Sequence, residues 1–268
     1  MKIVVCVKQV PDTTEVKVDE KTGTLIREGV PSIINPFDQF AMEEGVRLRE
    51  LLAGEGDEDK PELIALSMGP PQARTELMKC LALGADRGIL LTDRAFAGAD
   101  TWVTALTLSL AIKKLEDVKL VLCGLQAIDG DTGQVGPELA QCLRFPQVTY
   151  VEKIAVEDKK IVAHRQTGEG YAVIESKLPV LLTLITPSDF VPTNPPFSKI
   201  MKAKKKPYEE WNISNIDGDP DRLGLNGSPT QVRRVFPPPK HEKGVIIEDE
   251  AENAVKQLVD YLMKENLV

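Results

Sequence analysis

Histidine and cysteine are both scarce in this chain of 268 residues, which has two histidines and four cysteines. His164 and His241 each lie among polar residues, where an imidazole is more often exposed to solvent than used as a ligand or catalyst. The sequence also lacks the nucleophile-elbow serine motif, the HExxH zinc motif and the lysine-containing Walker phosphate loop. We therefore expect no catalytic side chain, and any chemistry would come from a bound cofactor.

The four cysteines are far apart and include no C-x-x-C pair: they are Cys6, Cys80, Cys123 and Cys142. Cys6 and Cys123 lie in apolar, strand-like runs, where a thiol usually serves as a small hydrophobic side chain. This pattern predicts neither a disulfide framework nor a cysteine-bound metal. We expect reduced thiols and no metal site.

The chain also lacks a net positive charge and long apolar runs. The formal net charge is −8 and the isoelectric point is near 5.1, which argues against nucleic acid or an anionic membrane as the main partner. No apolar run approaches the length of a membrane span, and residues 1–5 lead into a predicted strand without a signal-peptide pattern. The sequence therefore predicts a cytoplasmic protein without membrane insertion.

Strand-like and helix-like patterns alternate from the amino terminus to about residue 147. The predicted elements are a strand over residues 2–10, a hairpin over 16–27, a helix over 35–52, a charged loop over 54–60, strands over 63–68 and 88–91, a helix over 100–115 and a strand over 118–123. Repeated βα units predict an α/β fold, in which helices cover both faces of a parallel sheet. Ligands of such sheets bind beyond the carboxyl ends of the strands, so residues 6–8, 67–69 and 123–124 are expected to converge on one crevice.

The pattern changes twice after residue 147. A period of two over residues 148–185 predicts antiparallel hairpins that elaborate the same domain. Residues 187–241 are rich in proline and poor in periodicity, which is typical of a disordered tail or of an arm ordered against another subunit. Spaced apolar side chains favour the arm, and with it a hetero-oligomer: Phe197, Ile200, Trp211, Leu223, Leu225 and Phe236. A helix over residues 248–266 closes the chain.

A loop of small residues over 124–136 lies between the apolar run 118–122 and a helical pattern that includes residues 139–143. A strand–loop–helix junction of this kind brings backbone N–H groups and the positive end of a helix against a bound phosphate. Glycines let the backbone approach a ligand closely. The alternative is a mobile connector, since loops carry glycine and aspartate for that reason alone. The length of the loop, its small residues and its position favour the ligand.

Several segments resemble the β subunits of electron-transfer flavoproteins: residues 5–12, 35–38, 68–72, 83–87 and 124–136. Residues 200–206 resemble the segment that follows the partner-recognition loop of this family, and the match runs in order over nearly the whole chain. The resemblance implies an adenine-nucleotide-binding, Rossmann-like α/β domain over residues 1–186. It also implies a partner-recognition loop and an extended arm over 187–241, which embraces an α subunit, and a C-terminal helix over 242–268.

The resemblance implies a cofactor as well. In the housekeeping branch of the family the β subunit holds a structural AMP, whereas in the electron-bifurcating branch the same place holds a second FAD. Residues 129–138 resemble the bifurcating form, because Gly130 and Gly133 stand where the AMP type carries bulkier residues. The two glycines would leave more room for a dinucleotide. The implied cofactor is therefore FAD, with AMP as the alternative.

The implied binding residues come from several parts of the chain. Cys6 contributes through its backbone, and Thr101 and Thr104 face the isoalloxazine or the pyrophosphate unless they serve as helix caps or core residues. Asp129 and Asp131 fit ribose contacts or loop caps, because a carboxylate would repel a phosphate. The full set is Cys6, Asn35, Pro36, Phe37, Asp38, Ser67, Met68, Gly69, Thr101, Thr104, Gly124, Leu125, Gln126, Ala127, Ile128, Asp129, Gly130, Asp131, Thr132, Gly133, Gln134, Val135 and Gly136.

The bifurcating branch implies a function. The β-site FAD accepts a hydride from NADH, one electron passes through the α-subunit FAD to a flavin-dependent dehydrogenase, and the other passes to ferredoxin. The dehydrogenase is of the acyl-CoA or the 2-hydroxy-acid type. Phe197, Ile200 and Met201 correspond to the surface that docks it, with Phe197 where the housekeeping branch has an aliphatic anchor. For the lysines of residues 202–206 an ordinary solvated face is favoured over a docking surface.

Three alternatives remain open. The nearest is an AMP-binding electron carrier, in which this subunit holds no redox cofactor. A nucleotide-sensing binding module of the universal-stress-protein type shares the sheet topology, but the proline-rich arm argues against it. An adenine-nucleotide α-hydrolase would need a Ser-Gly-Gly phosphate loop near the first strand, and residues 8–11 do not provide one.

Overall fold

The computed structural model describes residues 1–12, 31–53, 60–233 and 244–268. The chain divides into two units, Met1–Lys17 with Leu25–Arg233 and Val18–Thr24 with Arg234–Val268, and each is described by itself. The hairpin predicted over residues 16–27, most of the charged loop over 54–60, Phe236 and His241 lie outside the described residues.

The first unit consists of alternating strands and helices followed by a hairpin region. Its strands are β1 (Lys2–Cys6), β2 (Gln9–Pro11), β3 (Ser32–Ile34), β4 (Glu62–Met68), β5 (Arg87–Leu91), β6 (Val118–Gly124), β7 (Gln147–Glu157), β8 (Lys160–Thr167), β9 (Gly170–Ser176), β10 (Val180–Leu184) and β11 (Tyr208–Trp211). Its helices are α1 (Pro36–Leu51), α2 (Arg74–Leu83), α3 (Thr101–Lys114), α4 (Val135–Leu143), α5 (Phe197–Ala203) and α6 (Gly224–Gly227).

A sheet of nine strands forms the centre of this unit, in the order β11-β5-β4-β1-β6-β10-β7-β8-β9. The strands from β11 to β7 pair in parallel, whereas β8 and β9 add antiparallel pairs at the other edge. Strands β2 and β3 form a separate antiparallel pair, with Gln9 opposite Ile34. The predicted α/β class with an antiparallel hairpin elaboration is confirmed.

Each central strand is buried on both faces, which explains its continuous apolar sequence. Successive side chains of a strand point to opposite faces. Val5 and Leu122 belong to the hydrophobic cluster that includes residues of α1 and α2. Val4 and Val121 belong to the other cluster, which includes residues of α3 and α4. The sheet therefore lies between two helical layers, and its strand ends are left for a ligand.

The single strand predicted over residues 2–10 is wrong, because the chain leaves the sheet after β1. The carboxylate of Asp38 accepts the backbone N–H of Lys8 at 2.8 Å, and the carbonyl of Lys8 accepts the N–H of Asn35 at 2.9 Å. These bonds take the backbone groups of Lys8 that a longer strand would have used. Strand β2 then begins at Gln9 and pairs with β3.

The helices predicted over residues 35–52 and 100–115 are confirmed by α1 and α3. Pro36 occupies the first turn of α1, where its missing N–H has no intrahelical partner to lose. The cap of α3 is Asp100, whose Oδ1 accepts the backbone N–H of Val103 at 3.0 Å.

Strand β11 is a difference from the extended arm expected over residues 187–241. Tyr208 pairs with Gly88 and Trp211 with Leu91, so the strand extends the sheet beyond β5. Glu209 accepts a hydrogen bond from Arg87 Nε at 2.7 Å, which holds the strand at the edge. Residues 187–233 therefore belong to the first unit, while the domain boundary at residue 186 stays a prediction.

The described part of the second unit contains helix α7 (Ala251–Lys264). All residues of α7 are described and none is buried. Of the apolar side chains of α7, Leu258 and Tyr261 are exposed, and Ala254 and Leu262 are half-buried. Across the described ranges of the chain, no helix has the length and apolar character needed to cross a membrane.

Candidate functional site

The site expected from the sequence lies where the strand order reverses direction. The chain continues from β1 to β4 on one side, and later returns to place β6 on the other side. Cys6 at the end of β1 lies opposite Cys123 of β6, and Leu66 of β4 lies opposite Cys6. The predicted strand ends are therefore neighbours. A reversal of this kind opens a crevice at the carboxyl ends of parallel strands.

The side chain of Asn35 holds the loop over residues 124–136 in place through two hydrogen bonds. This side chain is fully buried, with 0% exposure. Its Nδ2 donates to the carbonyl of Gln126 at 2.8 Å, and its Oδ1 accepts the N–H of Ile128 at 3.1 Å. The side chain is free for this role because it makes no capping bond to α1. One amide group thus satisfies a carbonyl and an N–H of the loop at the same time.

Asp38 joins the ends of β1 and β6 through hydrogen bonds to both. Its Oδ2 accepts the N–H of Lys8 at 2.8 Å, and its Oδ1 accepts the N–H of Gly124 at 3.1 Å. Burial raises the pKa of Asp38 to about 7, although hydrogen bonds from Asn35, Lys8 and Gly124 and the charge of Lys8 act to lower it. The carboxyl of Asp38 is therefore a buried, titratable group in contact with Gly124, the first residue of the loop.

Gly124 makes the approach between Asp38 and β6 possible. A Cβ at this position would lie 2.3 Å from Asp38 Oδ1 and 2.6 Å from the Cβ of Phe37. Both distances are well below van der Waals contact. Glycine is required here by space, because the helix and the strand end meet across it.

The tip of the loop is closed by its own contacts. The carbonyl of Ala127 accepts the N–H of Gly130 at 3.2 Å and that of Asp131 at 2.8 Å. Lys8 Nζ forms an ion pair with Asp129 at 2.7 Å, and Gln126 Nε2 donates to Asp131. Both loop carboxylates therefore have partners within the first unit. The ion pair lowers the negative charge that a phosphate would meet at this loop.

Free backbone donors follow the tip. Asp131 and Gly133 have left-handed φ values of 54° and 63°, and α4 begins at Val135 without a side-chain cap. Within the part of the chain that the structure describes, the N–H groups of residues 132–136 have no hydrogen-bond acceptor. By contrast, α3 is capped by Asp100. Uncapped N–H groups at a helix start are the donors that bind phosphate.

Thr101 faces the start of α4 across this region. Its hydroxyl lies 3.3 Å from Gln134 Oε1 and 3.2 Å from Glu138 Oε1. Burial and the charge of Asp100 raise the pKa of Glu138, against the hydrogen bond from Thr101. The other oxygen of Glu138 is buried and has no partner among the described residues. Thr104 lies further along α3 and is half-buried.

The structure brings together some of the predicted residues and separates others. Strand pairing places Cys6 beside Cys123, directly before the loop. Hydrogen bonds link the loop to Asn35, Asp38 and Thr101. Gly69, directly after β4, donates its N–H to the carbonyl of Leu91 at the end of β5, so this backbone N–H is already used within the sheet. The docking set of Phe197, Ile200 and Met201 lies on α5.

Lys8 was expected only as part of the strand end over residues 6–8, and neither Lys8 nor Glu138 was among the binding residues implied by the sequence. Lys8 stands two positions after Cys6, and Glu138 lies in the first turn of α4. A lysine beyond a strand end and an acidic residue at a helix start are common on any surface, so neither gave a distinctive signal. Their contacts with Asp129 and Thr101 assign them to the site.

The cysteines of the site are structural thiols. The hydrogen bond with the Cys6 thiol and burial raise the pKa of Cys123 well above its ordinary value, so the thiol form is stabilised. Among the described residues there is no group of three or more histidine, cysteine or acidic side chains that could hold a metal ion.

Asn35→Ala is expected to release the loop without unfolding the domain. It leaves the carbonyl of Gln126 and the N–H of Ile128 without their partner, at a cost of about 1–3 kcal/mol. Hydrogen–deuterium exchange of residues 125–131 should accelerate by about tenfold. Asn226→Ala serves as the control, because Asn226 is exposed. Equal exchange in both variants would show that Asn35 does not hold the loop.

Comparison with known proteins identifies the family of this chain. A model of the electron transfer flavoprotein domain matches residues 22–216. The caffeyl-CoA reductase-Etf complex subunit CarD of Acetobacterium woodii is 50% identical over 269 residues, with 100% of both chains covered. The electron transfer flavoprotein subunit beta of Thermoanaerobacterium thermosaccharolyticum is 47% identical over 269 residues, again with 100% of both covered. The chain therefore belongs to the electron transfer flavoprotein family, as a β subunit of electron transfer complexes.

Proposed function

We propose that this chain is the β subunit of an electron-bifurcating flavoprotein and binds FAD at the end of β1 and β6. NADH is the electron donor in this proposal. One electron passes to the FAD of the α subunit and the other to ferredoxin. The family implies binding of a flavin or of AMP, and the choice of FAD is the proposed part.

The free N–H groups of residues 132–136 carry this proposal. They form a run of donors with no acceptor among the described residues, at an uncapped helix start. The left-handed φ of Gly133 allows the backbone to curve around an anion. A pyrophosphate offers the acceptors that such donors need. The donor set therefore fits the phosphate portion of FAD, and it also fits the phosphate of AMP.

The surroundings of Gly130 favour the larger cofactor. A Cβ at Gly130 would have no heavy atom within 4 Å, so this position faces open space. AMP needs no space beyond its single phosphate, whereas FAD continues into a second half. The open space beside Gly130 leaves room for a dinucleotide.

The residues of the site would bind and orient the cofactor, and none needs to exchange a proton. The side chains of Asn35 and Asp38 fix the loop, and Lys8 neutralises Asp129. The backbone N–H groups of residues 132–136 would bind the phosphates. A bound FAD supplies the transfer of a hydride and of single electrons. Reactions of this type take place without an acid or base from the protein, in agreement with the scarcity of histidine in the sequence.

The names of two relatives guide the choice of partners. One is a subunit of a caffeyl-CoA reductase-Etf complex, and another, 38% identical, is the acryloyl-CoA reductase electron transfer subunit gamma of Anaerotignum propionicum. We therefore favour a flavin-dependent dehydrogenase of the acyl-CoA type over one of the 2-hydroxy-acid type. NADH and ferredoxin as reactants put the proposed reaction in the cytoplasm.

Helix α5 is the proposed docking surface for the dehydrogenase. Phe197 is 75% exposed, and Ile200 and Met201 are 41% and 43% exposed. Large apolar side chains at this level of exposure are typical of surfaces that meet a partner.

An anaerobic assay tests the function. The heterodimer with its α subunit is mixed with NADH, ferredoxin and a purified acyl-CoA dehydrogenase with its enoyl-CoA substrate. We expect ferredoxin reduction by NADH that depends on the enoyl-CoA, because the two electrons leave by coupled routes. Reduction of the enoyl-CoA with no reduction of ferredoxin would contradict bifurcation. It would favour the second candidate, an AMP-binding carrier of single electrons.

A further inference from the structure

Helix α5 cannot owe its position to its own stability. It has seven residues, Phe197–Ala203, and helices of this length are not stable alone in water. Of its residues only Ala203 is buried, whereas Phe197, Ile200 and Met201 stand exposed on it. Something outside the helix must therefore fix the direction in which the exposed side chains point.

The chain before α5 is fixed to α1 at Thr193. The N–H of Thr193 donates to Glu43 Oε1 at 2.8 Å, and its hydroxyl donates to Glu43 Oε2 at 2.6 Å. The carbonyl of Thr193 accepts a hydrogen bond from Gln39 Nε2 at 3.3 Å. Every polar group of Thr193 is thus bonded to a side chain of α1. Phe190 adds an edge-on contact with Phe40, with ring centroids 5.1 Å apart.

A stiff segment joins this anchor to the docking helix. Asn194, Pro195 and Pro196 lie between Thr193 and Phe197. Proline fixes its own φ and restricts the residue before it to extended backbone. The segment therefore has few conformations, so the position of Thr193 determines the position of Phe197.

A second anchor holds the chain after α5. Lys206 Nζ donates to the carbonyl of Leu81 at 3.0 Å and to that of Ala85. These carbonyls lie at the carboxyl end of α2, where a cation is favoured by the helix dipole. Burial lowers the pKa of Lys206. This lysine is therefore not part of the solvated face that the sequence suggested for residues 202–206.

We propose that Glu43 and Thr193, with Lys206 on the other side, are positioning residues that hold α5 in its docking conformation before the dehydrogenase arrives. This inference rests on the proposed docking role of α5. A surface ordered in advance binds more tightly, because the partner does not have to supply the free energy of ordering it. Glu43 and Thr193 act through α5 and need no contact with the dehydrogenase.

The test uses the heterodimer and two matched substitutions at Thr193. Thr193→Val keeps the shape of the side chain and removes the hydroxyl, and Thr193→Ser keeps the hydroxyl. With a purified acyl-CoA dehydrogenase as the electron acceptor, Thr193→Val and Glu43→Ala should raise the KM for the dehydrogenase by about threefold to tenfold. The kcat and the flavin content should not change. Thr193→Ser should behave as the parent, and the double variant should equal the larger single effect.

Two further measurements make the outcomes distinct. Hydrogen–deuterium exchange of residues 190–203 should accelerate in Thr193→Val but not in Thr193→Ser. Phe197→Ala tests the docking role alone: an unchanged KM for that variant would overturn the docking surface, and the positioning role with it. If Phe197→Ala raises the KM while Thr193→Val and Glu43→Ala leave it unchanged, the docking surface stands and the positioning role is wrong.

Discussion

Gly124→Ala should lower the thermal unfolding midpoint of the heterodimer by about 2–12 °C and release the bound nucleotide. The new Cβ would lie 2.3 Å from Asp38 Oδ1 and 2.8 Å from the carbonyl carbon of Phe37. Neither the buried carboxylate nor the helix backbone can move away cheaply. Overpacking of this kind costs about 1–3 kcal/mol, and each kcal/mol shifts the midpoint of a chain of this size by about 2–4 °C.

The nucleotide is lost in this variant because the same contacts shape the site. Displacing Asp38 breaks its bonds to the N–H groups of Lys8 and Gly124, which separates the ends of β1 and β6. The control is Gly168→Ala, where a new Cβ meets no heavy atom within 4 Å. That variant should keep the midpoint and the nucleotide. A Gly124→Ala heterodimer with full nucleotide and the midpoint of the control would contradict the role assigned to this contact.

Asp38→Asn should remove a large part of the pH dependence of stability. The pKa of Asp38 is about 7 in the folded chain, against its usual 3.8, so the folded chain binds this proton more tightly than the unfolded chain does. The contribution to the free energy of unfolding is complete below pH 3.8 and is lost as the pH rises towards 7. Between about pH 5 and pH 8 the parent should lose about 2–3 kcal/mol more than the variant.

Thermal unfolding of the heterodimer at these two pH values measures the difference. The midpoint of the parent should fall by about 6 °C more than that of Asp38→Asn. Asp221→Asn is the control, because Asp221 is exposed and its substitution should leave the pH dependence of the parent intact. Equal falls in the parent and in Asp38→Asn would show that Asp38 does not titrate in this range.

Much of the fold was predictable from the sequence, because the spacing of apolar residues reflects which residues are buried. Strands buried on both faces are mainly apolar, as β4 and β6 are. Helices α1 and α3 begin with recognisable signals, Pro36 and Asp100. Strand β11 was not predictable. It contains two glutamates, Glu209 and Glu210, and it is held by an ion pair of Glu209 with Arg87, more than a hundred positions earlier in the chain. Local periodicity carries no information about such a contact.

The candidate site was predictable in position but only partly in role. The small residues of the loop and the strand ends indicated the crevice. The separate roles could not be predicted, because they depend on hydrogen bonds between residues up to 93 positions apart. Asn35 and Asp38 hold the loop, and the N–H groups of residues 132–136 are left free for a ligand. The same limit applies to Thr193, which in the sequence is one of many polar residues between prolines.

The amount of FAD and AMP in the purified heterodimer distinguishes the proposed bifurcating subunit from an AMP-binding carrier. The bound molecules are released by denaturation, separated and counted against the protein. We expect two FAD and no AMP for each heterodimer, because the proposed site at the ends of β1 and β6 would bind a dinucleotide. One FAD with one AMP would contradict it, and would leave this chain as a scaffold in a carrier of single electrons.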